Sequence, residues 1–172
     1  MHAPLYEASV PVFLRYLERL QGLLDAAEAF ATAHAQPHAA LLAARLAPDM
    51  HPFETQVAIA AHFALRACFP LAGQALPEYG EFPATLAGLR ARINRVCALL
   101  QTLEPTQFEG AASRVLESRA GQAQLALEGP EFLLQYALPN FFFHLTTAYA
   151  ILRQCGVPLG KQNFDGWHAY GG

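Results

Sequence analysis

Charge is what this chain has least of. Asp, Glu, Lys and Arg make up 15% of its 172 residues, against roughly 25% in an ordinary soluble domain. Lys161 is its single lysine; the other basic residues are arginines, and they are scattered. With a formal net charge of −3 and no basic stripe interleaved with aromatics, the chain lacks the electrostatic footprint of a nucleic-acid binder. Cysteine is sparse too. Cys68, Cys97 and Cys155 lie far apart, without a CxxC, in apolar helical stretches. That points to reduced core thiols in a cytosolic protein and excludes a disulfide framework. Only Ser9, Ser113 and Ser118 carry a serine hydroxyl, and no GxSxG, P-loop, GxGxxG or Cys–His nucleophile pattern occurs. Serine-triad hydrolysis, nucleotide binding and phosphoryl transfer are therefore poor readings. The start, MHAPLYEASV, has neither the basic region nor the apolar run of a signal peptide. An uninterrupted apolar run is missing as well. Phe132 to Cys155 is broken by Gln135, Pro139, Asn140, His144 and Arg153, which makes it a core helix and not a membrane span. The expectation is a soluble, cytoplasmic protein.

What the chain has in plenty is apolar side chain, 53% of the residues. Its length suits a single domain, residues 1–172, that buries a core without disulfide or metal staples. Low charge with so much apolar surface predicts a second subunit as the sink, hence a homodimer.

Four long helical patterns emerge. The first runs from about Ala8 to His34, with Val10, Phe13, Leu14, Leu17, Leu24 and Ala31 on one stripe and Pro11 in its opening turn, where a missing N–H is harmless. A short helix, His38 to Leu46, follows Pro37. The second long helix starts after Asp49, read as its N-cap with His51 beside it, and ends at Pro70 and Gly73. The third spans Pro83 to Leu103 and stops at Pro105. Between Arg114 and Glu128 the helical period breaks; Val115-Leu116 and Leu125-Ala126-Leu127 around Ala120-Gly121 predict a β-hairpin. Gly129-Pro130-Glu131 opens the fourth helix, and Gly156 and Pro158 close it. Residues 159–172 read as an irregular tail that straps across the bundle through Phe164, Trp167 and Tyr170, with its last residues disordered. The fold class is all-α: an antiparallel four-helix bundle with a short hairpin between helices three and four.

Segment Pro130–Lys161 is the most informative for function. Asn140 and His144, four residues apart, share a helical face with Ala137, Phe141, Ala148, Ile151 and Cys155. Polar groups among such neighbours need a partner or a ligand. The bland reading is a core histidine donating to a backbone carbonyl or to Asn140, aided by Pro139, which frees the carbonyl of Gln135 and kinks the helix. Elsewhere, Gln21 and Glu28 lie on the apolar stripe of the first helix, where a carboxylate could be a base or simply a solvated rim group. His34 and His38 are separated by the helix-breaking Pro37 and are not a metal pair.

The blocks ASVPVFLRYL, LLAARLAPDMHPFETQVAIA and LPNFFFHLTTAYAILRQCGVPLGK resemble an uncharacterised bacterial family, domain of unknown function nineteen-ninety-three, and the resemblance spans nearly the whole chain. It implies a place among the DinB/YfiT-like four-helix bundles, many of them dimers holding a divalent metal, some of them thiol-dependent transferases or isomerases. The metal-bearing relatives use one His on the second long helix and an H-x3-H pair on the fourth. By that pattern His62 and His144 match two ligands, and Asn140 stands where the third would be. An amide oxygen is a poorer zinc, nickel or iron donor than imidazole. If helices two and four run the same way, His62 and His144 lie roughly 18 and 21 Å from the shared end, close to level. Two stripes compete on helix two. Phe53, Val57, Ala60, Ala64 and Ala67 turn His62 away from the interior, whereas Ala58, Ile59, His62, Leu65 and Phe69 turn it inward. Two functions follow: a metal-assisted enzyme on a small polar substrate, with Zn, Ni or Fe on His62, His144 and Asn140, or a metal-free small-molecule-binding or structural dimer in which Asn140 and His144 form a pocket.

Overall fold

A computed structural model describes residues 4–169; His2 and the tail residues 170–172, Tyr170 among them, lie outside the described residues. A four-residue helix α1 (Pro4–Glu7) leads into α2 (Val10–Ala33), with Pro11 in the first turn. Then come α3 (His38–Ala43), α4 (Phe53–Leu71) and α5 (Leu86–Leu100). Two short 3₁₀ turns precede an antiparallel hairpin, β1 (Val115–Ala120) and β2 (Ala123–Glu128). The last bundle helix is composite: α6 (Gly129–Glu131), a π-helical segment (Phe132–Ala137) and α7 (Leu138–Gln154). A final helix α8 (Lys161–Asp165) follows.

The four long helices and the hairpin are thus where the periodicity places them. The core explains why. On α4 the stripe Phe53, Val57, Ala60, Ala64 and Ala67 is fully buried, and on α2 so are Phe13, Leu17, Leu20, Leu24, Ala27 and Ala31. Phe13 meets Phe141 edge to face, centroids 4.9 Å apart. Each such ring contributes about 1.5–3 kcal/mol by burial, far more than any helix propensity.

Chain direction differs from simple alternation. Gln21 bonds Asn94 while Asp25 pairs with Arg90, so α2 and α5 are antiparallel. His144 faces Gln56 while Tyr136 faces Arg66, so α4 and α7 are antiparallel as well. Phe13 packs on Phe141 and Phe30 lies beside Gly156, so α2 and α7 run the same way, and hence so do α4 and α5. The Pro- and Gly-rich stretch 72–85 allows this, since it is long enough to return along the bundle. The premise that the second and fourth helices are parallel is therefore corrected.

Several local expectations also shift. Asp49 is not the cap of α4: the helix begins at Phe53 after Pro52, with no side-chain cap. Its opening is instead held by Gln56, whose Nε2 donates to the His51 carbonyl (3.1 Å). Helix α5 starts three residues later than the pattern suggested, where Thr85 Oγ1 accepts from Gly88 N–H (3.0 Å). A Cβ on Gly88 would collide with the Pro83 carbonyl, which makes glycine the fitting residue there. The hairpin turn is Gly121-Gln122, since Ala120 still pairs with Ala123; Gly121 takes φ +60°. Pro139 does not kink mid-helix. It sits in the first turn of α7, and the strain of its missing N–H and bulky ring is absorbed by the preceding π segment, where Leu138 N–H bonds Leu133 O. The tail is a strap with a helix in it. Phe164 packs on Tyr16 and Tyr149, Arg15 donates to the Asp165 carbonyl (2.6 Å), and its guanidinium lies 4.1 Å over Trp167.

Two arginines fasten the hairpin to the bundle. Arg66 on α4 donates to Ser118 Oγ (2.8 Å), the Arg119 carbonyl (2.9 Å) and Tyr136 Oη (3.1 Å). Arg114 donates to the Leu71 carbonyl at the C-terminal end of α4, where a cation complements the helix dipole. No helix among the described residues is long and apolar enough to cross a membrane.

Candidate functional site

Gln56 is the buried polar residue that organises the α4–α7 face, at 1% exposure. Its amide is oriented without ambiguity. Nε2 donates to the His51 carbonyl, so Oε1 must point the other way, toward His144 Nδ1 at 2.7 Å. A flipped amide would set two carbonyl oxygens against each other. His144 therefore carries its proton on Nδ1 and donates it to Gln56, leaving the lone pair on Nε2. Nε2 has no hydrogen-bond partner, and it is not among the buried unpaired atoms, so solvent reaches it. The ring is packed by Phe63 (centroids 6.0 Å, near-parallel) and Phe143 (5.2 Å, edge to face). Burial, and then the nearby His51, hold its pKa below the ordinary histidine value. His144 is thus a neutral, oriented imidazole with one open nitrogen.

Asn140 stands one turn before it on α7. Its Nδ2 donates to the Tyr136 carbonyl (2.7 Å), in the π segment, which turns Oδ1 outward with no protein partner. The helix that Pro139 disturbs is in this way repaired by the next side chain, at Tyr136 and not at Gln135.

His62 belongs to a different cluster. It precedes Phe63 on α4 and lies about 100° from it around the helix: Phe63 faces His144, whereas His62 stacks with Tyr79 and its Nδ1 lies 3.2 Å from Tyr79 Oη. Tyr79 Oη accepts from Arg92 (2.8 Å) and also shares a hydrogen bond with His62 Nδ1, so that ring nitrogen is already engaged. Burial, then Arg66 and Arg92, lower the pKa of His62. On height the two histidines come out near level, since His144 spans Gln56 and Phe63; rotation separates them.

These placements decide how a three-ligand metal centre fits. His62 has its Nδ1 engaged by Tyr79 and lies near Arg66 and Arg92, whose positive charges oppose a cation there. Asn140's amide is committed to Tyr136 by its nitrogen. His144 offers an oriented imidazole lone pair, and Asn140 only the weaker amide oxygen. Among the described residues no three His, Cys, Asp or Glu side chains form a group that could hold a metal ion. The donor set does not fit the three-histidine pattern.

The remaining candidates have ordinary roles. Glu28 joins Asp25 on Arg90 (2.9 and 2.7 Å) at the bundle rim, and Gln21 bonds Asn94 (2.7 Å). His34 bonds the Phe30 carbonyl. All three cysteines are free. Burial raises the pKa of each; Cys68, fully buried, is raised furthest, so none is a ready nucleophile. Sequence reasoning missed Gln56 and Tyr79. Gln56 had a signal, a polar residue beside the inward stripe of α4; Tyr79, on an irregular loop, had none.

Residues 5–165 match the family described as Domain of unknown function (DUF1993). Among solved structures, the chain is similar to the crystal structure of a DinB family member protein from Shewanella denitrificans. The two are 36% identical, with a TM-score of 0.86, over 98% of this chain and 95% of that one. No functionally curated protein matches.

Proposed function

The chain belongs to the DUF1993 family and shares the helical bundle of a DinB family member, and on that footing we propose that it binds a small polar molecule through His144 without a metal. The reading rests on one observation: buried Gln56, pinned by the His51 carbonyl, dictates the tautomer of His144 and leaves Nε2 unprotonated and open. An imidazole held this way accepts a hydrogen bond from an O–H or N–H of the ligand, and can take that proton as a general base. Its lowered pKa keeps it in the basic form at neutral pH. Asn140 Oδ1, one turn away, supplies a second acceptor on the same helix. The Gln56–His144 pair has the logic of a base and its orienter, with an uncharged amide where other sites use a carboxylate. The imidazole is thereby oriented without being made more basic.

Diethyl pyrocarbonate, which acylates unprotonated imidazole, tests this when read by peptide mass spectrometry. Modification of His144 is expected to inflect below the ordinary histidine range, and Gln56→Leu is expected to shift that profile. Nitrogen-15 shifts showing His144 protonated on Nε2 would overturn the reading.

A further inference from the structure

A recess lies on the other side of α4, between α4 and α5. It is a cavity of about 170 Å³ bounded by Glu54, Thr55, Ala58, Phe82, Leu89 and Arg92, with Pro83 and Ala84 at its rim. Its volume falls well under the several hundred Å³ of a drug-sized pocket, so its occupant has few heavy atoms.

Neither charge that lines it has an ion-pair partner among the described residues. Arg92 makes no ion pair among the described residues. Its guanidinium lies 5.1 Å over Phe82 and 5.6 Å over Tyr79, and one terminal nitrogen donates to Tyr79 Oη. Nε is buried with no partner, and the second terminal nitrogen has none either and is open to solvent. A half-buried cation left this incomplete is costly unless an anion comes to it. Glu54, in the first turn of α4, borders the same cavity and likewise has no hydrogen bond or ion pair. The two opposite charges thus frame one small cavity without meeting across it. Ala58, Leu89 and the Phe82 ring supply the apolar wall between them. Tyr79, bound to His62 Nδ1, keeps the guanidinium in place by a directed contact.

We infer that this recess is a binding site for a small zwitterion of the amino-acid type. The carboxylate lies on Arg92, the ammonium on Glu54, and a short apolar side chain against Phe82 and Leu89. The site shares no residue with the His144 face and stands or falls independently of it.

Isothermal titration with L-valine tests the assignment on the intact chain, with L-valinamide and 3-methylbutanoate as probes lacking one charge each. Valine is expected to bind, and each single-charge probe at least tenfold more weakly. Glu54→Gln is expected to abolish the preference for valine over 3-methylbutanoate while leaving binding of the acid unchanged. Arg92→Gln should remove binding of both, and Phe82→Ala, at a partly buried position on the loop before α5, should weaken the site. No heat with valine at 10 mM, or equal binding of valine and 3-methylbutanoate by the unaltered protein, would overturn the proposal.

Discussion

The orientation of one side chain, Gln56, carries the most consequence at the residue scale. Replacing it with leucine leaves the His144 Nδ1–H without an acceptor in a packed setting, at a cost of about 1–3 kcal/mol in denaturant unfolding. A double-mutant cycle with His144→Ala should return a coupling of the same order; additivity would mean that the contact is idle. Both half-buried histidines have pKa values below the unfolded value of 6.5. The unfolded chain therefore binds more protons in this range, and stability rises with pH. Their contribution is full above about pH 7.5 and declines as pH falls through 6.5 toward the lower folded values. Urea midpoints measured from pH 5 to 8 check this, and His144→Gln should flatten the curve. Asn140→His, which writes an H-x3-H pair into α7, is expected to gain by calorimetry only the weak zinc affinity of a two-imidazole chelate, because His62, which would be the third ligand, faces Tyr79. It should also cost about 1 kcal/mol from the lost bond to the Tyr136 carbonyl. A rise in zinc affinity of orders of magnitude would restore the metal-site reading.

Among the elements, the hairpin depends most on Arg66, which makes three of its bonds to the bundle. Its inner face buries little beyond Leu116, and an isolated two-stranded hairpin is marginal in water. Arg66 ties it to α4 and to the π segment at the same time through Ser118, Arg119 and Tyr136. In Arg66→Met, amides of residues 115–128 are expected to exchange at least tenfold faster while those of α2 and α4 stay protected. Uniform loss of protection across the bundle would show that the hairpin is not a separate unit. The π segment is a similar compromise. Pro139 cannot donate, so the helix widens before it, and the widened turn brings Tyr136 to Arg66 and its carbonyl to Asn140. Pro139→Ala should raise helix stability yet loosen both contacts.

For the whole molecule, the oligomeric state is the open physical question. Phe143, beside His144, is 56% exposed and Leu134 57%. Large rings and branched chains in water at that level, on a chain with so little charge, argue for a partner surface. We expect sedimentation equilibrium to give twice the chain mass of 18.7 kDa, and Phe143→Asp to halve it. A single species of chain mass at tens of micromolar would show that the exposed apolar residues stay in water. The local periodicity determined much of this protein by itself: four amphipathic helices and a hairpin where the period breaks. Those follow from residues spaced three, four or two apart, and burial rewards such spacing wherever the helix is placed. Which groups meet across helices was decided by tertiary structure alone. The long return through residues 72–85 makes α4 and α5 run the same way, and a rotation of about 100° between neighbours on α4 gives Phe63 to His144 and His62 to Tyr79. Direction and rotation are set by how whole helix faces pack, and no spacing along one helix records them.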